Sequence, residues 1–227
     1  MHVVRAALFV ASLALVVGAC GSSKTTSTAT TAAPNTTSPT PAAALDASTA
    51  VFPTEAGAAR YQDPVAAATG FATDYVGFVS PVVGPFHAGD PRSGEVEVRP
   101  AANGPVTTVI VRQLGPDDSW WVLGAATANI ALSEPAAQAA ISSPVALKGT
   151  STAFEGTVQT QVREDDNVSP LGEGFVTGGG MGTMGPFDGT LAFTPPTATY
   201  GAVMLSTISQ ENGSVWEATV VRVRVGS

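Results

Sequence analysis

Cysteine appears once in 227 residues, histidine twice, and charged side chains at only 12% of positions. A single cysteine, Cys20, cannot close an intramolecular disulfide, so packing alone must hold any folded part together. His2 precedes an apolar N-terminal run, which leaves His87 as the one histidine of the body. Cysteine-protease pairs and histidine-rich zinc sites are thereby excluded, and a Ser-His-Asp triad would have to use His87. No Gly-x-Ser-x-Gly elbow supports that triad, and His87, between Phe86 and Gly89-Asp90, reads as a loop residue. Past residue 17 no apolar run approaches the roughly twenty residues of a membrane-spanning helix. Eighteen acids against ten bases give a net charge of −8, a surface that repels phosphate backbones and argues against nucleic acid as a partner. Glu164-Asp165-Asp166-Asn167 lacks the ligand spacing and glycine of a calcium loop and reads as a solvated turn. Gly178 to Gly185 is glycine-rich without Gly-Lys-Ser/Thr and is not a phosphate loop. No catalytic residue, metal site or cofactor emerges.

What is present begins with a leader. Arg5 precedes an apolar run from Ala6 to Val17, followed by small residues, the pattern of a secretory signal over residues 1–19. Val17-Gly18-Ala19-Cys20 resembles the lipobox of bacterial lipoproteins, with Val17 where Leu is usual. That resemblance implies that Cys20 becomes the first mature residue and carries an acyl anchor of the palmitate class. The membrane is then a partner through Cys20, and the protein is expected at the cell membrane on its extracytoplasmic face. From residue 20 to 59 the chain is mostly Ser, Thr, Ala and Pro, with almost no large apolar side chain to offset ordering entropy. A disordered stalk is expected there.

Residues 60–133 carry the signals of a small α+β domain. Asp63-Pro64 is a helix start, with Asp as N-cap and Pro at the first helical position. Val65, Ala68, Ala72, Tyr75, Val76 and Val79 recur at steps of three and four, widened by Phe71 and Phe78, so one amphipathic helix is predicted up to Ser80-Pro81. After turns at Gly84-Pro85 and Gly89-Asp90-Pro91 the period becomes two. Residues 95–99, 106–112 and 120–125 read as a meander, with Asn103-Gly104 as its tight turn and 128–132 as a last strand. The helix should lie on this antiparallel meander.

A short Ala-rich linker at 136–140 leads into an all-β half, residues 138–227. Strands are predicted from Pro144, over 154–163, 171–177, 187–194, 200–207 and 215–225, an antiparallel sandwich by their spacing. Phe154, Gly156, Val158, Thr160 and Val162 should share one face. In the last strand Val221, Val223 and Val225 should point inward while Arg222 and Arg224 stay wet. Ser143-Pro144-Val145, Gly149-Thr150, Ala153-Phe154-Glu155-Gly156-Thr157-Val158, Gly185-Pro186-Phe187 and the Ser206 to Val225 strand pair resemble the immunoglobulin-like domain of bacterial spore germination proteins. The resemblance implies an immunoglobulin-like β-sandwich and carries no catalytic residues. The segment ahead of it is similar to N-terminal regions of actinobacterial lipoproteins.

Two features suit a partner. Trp120 and Trp121 are adjacent on a strand and must face opposite ways, so they are candidate contacts unless the helix covers one indole and a loop the other. Met181 and Met184 place flexible thioethers on a glycine-rich hinge, where they could adapt to a partner. The expectation is a lipid-anchored, non-enzymatic cell-envelope protein that binds or assembles with an unidentified envelope protein or polymer. The alternatives are a structural spacer presenting another component and a hydrolase acting on envelope polymers.

Overall fold

The computed structural model describes residues 49–54, 60–167 and 169–226. The predicted signal, Cys20 and most of the stalk lie outside the described residues.

Asp63 caps helix α1 (Pro64–Gly70) as the sequence requires, its Oδ1 accepting the Ala66 N–H at 2.8 Å. The helix then widens into a π-helical stretch, Phe71–Val76. It stops at Gly77, three residues before Ser80, because that residue takes φ 90°, ψ 26°, a left-handed conformation that a Cβ would strain. Of the predicted stripe, Ala68, Phe71, Ala72, Val76 and Phe78 are buried and Val65 and Tyr75 half-buried, while Ala67, which the periodicity does not include, is buried with them. Val79 does not join them: beyond the glycine the helical period is lost, and Val79 is 68% exposed.

Among the described residues the strand pairing is antiparallel apart from a short parallel strand pair and one parallel bridge, Ala140↔Arg224. β1 (Val82–Asp90), a strand that the sequence pattern does not predict, extends at its edge the expected meander of β2 (Ser93–Arg99), β3 (Thr107–Leu114) and β4 (Ser119–Thr127). β1 runs straight through Gly84-Pro85, read above as a turn. Pro85 is tolerated because β1 is an edge strand with register shifts on either side of Phe86. β5 (Ile130–Glu134) pairs with β4 and with β6 (Val145–Ala153), which also pairs with β10 (Gly185–Leu191) and, in parallel, with β9 (Gly179–Gly180). A second layer contains β7 (Thr157–Glu164), β8 (Gly172–Thr177), β11 (Tyr200–Ile208) and β12 (Val215–Arg224), in the order β12-β11-β7-β8. Between β6 and β7 the chain turns at Phe154–Gly156, with Glu155 at φ 56° and Gly156 at φ 74°. That turn breaks the alternation predicted from Phe154 onward and leaves Phe154 53% exposed instead of inward.

Two cores result, and they share strands. The first lies under the helix and combines Phe71, Val96, Val98, Val109, Val111, Trp120 and Val122 with Ala202, Met204, Ala218 and Val220. The second fills the sandwich with Leu147, Val158, Val162, Phe187, Val203, Leu205 and Val223 among others. Alternate residues of β11 and β12 therefore serve different cores, and both strands are buried on both faces. The run Ala202-Val203-Met204-Leu205 has no polar alternation because neither face is wet.

This arrangement revises two expectations. The sheet does not part between residues 133 and 138: β12 pairs with β4 at Val220↔Ala125, and β5 links β4 to β6. Residues 60–133 lack part of their own core, which residues of β11 and β12 supply. The folded part also starts earlier than Tyr61. Val51 and Phe52 exchange backbone hydrogen bonds with Val122 at 2.7 Å, and Val51 is 1% exposed. β12 reaches β4 only at Ala125, so the start of β4 would otherwise keep an unpaired edge, and the apolar Ala50-Val51-Phe52 fills it.

Candidate functional site

The aromatic candidates separate as strand geometry demands. Trp120 turns into the helix-covered core, edge-on to Phe86 at 5.1 Å between centroids. Trp121 turns to the other face, packing with Ala50, Leu114 and Leu123 beneath the Arg60 guanidinium, 4.8 Å from the ring. Relative exposures of 7% and 2% leave neither indole a contact surface. His87 stands exposed on edge strand β1, opposite Glu95 of β2 in the strand register.

The acidic stretch read as a solvated turn is instead structural. Glu164 ends β7 and is 6% exposed. One carboxylate oxygen accepts the Thr197 and Ala198 N–H groups at 2.6 and 2.9 Å, and the other accepts the Asn167 amide at 3.1 Å. Burial alone would raise this carboxyl, but the Ala198, Asn167 and Thr197 donors together hold it below its ordinary value. Asp165 forms a two-pronged pair with Arg222, at 2.5 and 2.6 Å. Arg222 is therefore buried, not wet as alternation suggested, and its guanidinium lies 5.3 Å from the Tyr200 ring. Alongside, Arg163 donates to the Tyr75 carbonyl and stacks 5.1 Å from that ring, which burial pushes up to about 12.

Met181 behaves differently from the tryptophans. It sits at φ 52° on the turn after β9 and is 77% exposed; Met184 is 44% exposed. Met181 lines a groove of about 590 Å³ at one end of the sandwich, with Phe154, Ile208 and the half-buried Trp216 as its other large apolar walls. Met184 and the paired tryptophans do not line it. Asn129, Gln210, Glu211 and Glu217 add polar groups. Glu217 is 3% exposed, and its Oε2 accepts Thr127 Oγ1 at 2.5 Å and Asn129 Nδ2 at 3.0 Å. Its Oε1 accepts Thr207 Oγ1 at 3.1 Å. Glu217 thus lines the groove with its carboxylate oxygens held by neutral donors.

The sequence singles out Met181 but not the residues that line the groove with it. Unbroken alternation assigns Phe154 inward, and the local signal against it is Gly156, which takes φ 74° without a Cβ to strain. Trp216 and Glu217 lie next to each other in a strand whose hydrophobic pattern speaks only of cores. Nothing local announces that the 209–214 hairpin, the 154–156 turn and the 181–182 turn meet.

Residues 129–214, from the β4–β5 connection through β11 and its following hairpin, match the family described as the immunoglobulin-like domain of bacterial spore germination. No curated protein matches the chain, and no solved structure does.

Proposed function

We propose that this is a lipid-anchored cell-envelope protein with a non-enzymatic binding role, which engages another envelope component through the groove bounded by Phe154, Met181 and Trp216. The observation that carries this reading is the cluster of large apolar side chains exposed around one concave end: Phe154 at 53% and Met181 at 77%. Exposed aromatic and methionine side chains grouped about a depression are what partner-binding surfaces concentrate. The Val17-Gly18-Ala19-Cys20 motif supports the anchor, and the apolar leader ahead of it supports export.

The test joins both parts. In cells, Cys20→Ser should move the protein out of the membrane fraction or leave it as a precursor. A photo-crosslinking residue placed at position 181 should form one dominant adduct, whereas the same group in place of Phe175, 67% exposed on β8 outside the groove, should not. Normal processing and membrane retention of Cys20→Ser would overturn the anchor; equal adducts at both positions would overturn the groove.

A further inference from the structure

The charge around the groove selects its occupant. No Lys, Arg or His stands among the residues that line it, while Glu211 and Glu217 do. Glu217 is the informative one. A carboxylate offers about four acceptor positions, and its three hydrogen bonds come from two hydroxyls and one amide. Two of the three converge on Oε2, so Oε1 keeps capacity. Among the described residues no ion pair includes Glu217. A nearly buried anion held by neutral donors stays electrostatically unbalanced, and a cation arriving from the groove would form a charge-assisted bond in a low-dielectric setting.

Building on the reading of this groove as a binding site, we propose that its occupant is a basic segment of a partner protein, in which a Lys or Arg is flanked by aliphatic side chains. The cationic head approaches Glu217 and Glu211, and the aliphatic neighbours lie against Phe154, Met181 and Ile208. The walls favour a peptide over a saccharide. A sugar presents many hydroxyls and needs several free polar side chains, yet Asn129 already donates to Glu217 and Gln210 to the Ile208 carbonyl, against the single unpartnered buried hydroxyl of the lining, that of Thr152. The flexible Met181 thioether suits aliphatic groups of varied shape.

The experiment uses the full chain in detergent and two labelled peptides, one of alternating Leu and Lys and one of alternating Leu and Glu, followed by fluorescence anisotropy. The basic peptide should bind, the acidic one should not, and binding should weaken with salt. Glu217→Gln should weaken it about tenfold or more, the loss of one charge-assisted bond. Glu211→Lys, on an exposed hairpin where folding is not at stake, should weaken it several-fold, and Met181→Ala likewise. Attraction to the overall charge of −8 would be indifferent to these single changes, so binding that survives all three overturns the proposal. Preference for a neutral N-acetylglucosamine oligomer over the basic peptide also overturns it, while leaving the groove a binding site. Binding of none of these probes overturns the basic-segment proposal whatever position 181 shows, and a position-181 adduct would then mean that the binding function stands.

Discussion

The helix-covered core and the sandwich core draw on the same two strands and are closed by different means. The first is capped by a short helix whose buried face is largely alanine, so closure falls to larger rings around it. Phe52, Tyr61, Phe71 and Tyr75 form a connected set, with Phe71 and Tyr75 stacked at 5.3 Å. The second is closed by a facing sheet and filled mainly with Val and Leu, plus Phe187 and Phe193. Polar groups are concentrated where the two regions meet: Arg222 on Asp165, Arg163 on Tyr75, and the Thr107 hydroxyl accepting the Ala218 N–H at 3.1 Å. The sandwich matches a recognisable domain family, yet its outer face is apolar and needs the helix side as cover. A sequence-defined domain and a physical folding unit are therefore not the same set of residues here.

The largest effect should come from dividing the molecule. Residues 129–227 expressed alone would uncover Ala202, Met204, Ala218 and Val220 together, a cost of several kcal/mol against a total stability of about 5–15 kcal/mol. Calorimetry should show no cooperative transition, or aggregation, where residues 49–227 give a single one; a sharp transition near that of the longer chain would make the sandwich self-sufficient. Next comes the seam. Arg222→Ala leaves Asp165 partly buried without its two-pronged partner, and denaturant unfolding should report a loss of about 3 kcal/mol. A loss below about 1 kcal/mol would mean that the pair only decorates the junction.

The smallest effect is pH-dependent. Burial first, with Asp165 adding to it and Arg163 and Arg222 opposing, raises the Tyr75 phenol from 10.0 to about 12. The unfolded chain ionises first, so this contribution to stability is complete below pH 10 and is lost as pH rises toward 12. The decline should amount to at most about 2–3 kcal/mol. Tyr75→Phe should flatten the decline over that window; an unchanged slope would place the ring in water and weaken the aromatic closure of the first core.

Most strands were legible because their period is local. Residues 95–99, 106–112, 171–177 and 200–207 fall almost entirely within observed strands, since alternation or β-branched runs between turn residues depend on neighbours in sequence. The helix start was legible for the same reason: Asp63 and Pro64 act within one turn. Its end was not, because Gly77 had to be weighed against an apolar stripe that continued on paper to Val79. Arg222 shows the limit most clearly. Its flanking valines imply one-sided burial, and only the arrival of Asp165 and Tyr200 from other segments makes a buried guanidinium tolerable.

By itself the sequence determined the antiparallel β character, the helix cap, the family resemblance of the second half and the exclusion of cysteine-protease pairs and histidine-rich zinc sites, all of which follow from composition or from contacts within a few residues. It also expressed two-sided burial in Ala202-Val203-Met204-Leu205, although what covers each face is not written there. Tertiary structure alone decided that β11 and β12 serve two cores, that Ala50-Val51-Phe52 completes the edge of β4, and that Phe154, Met181 and Trp216 line one groove with the buried Glu217. These are meetings of segments far apart in the chain, governed by the register and twist of the sheets, and no local pattern encodes them.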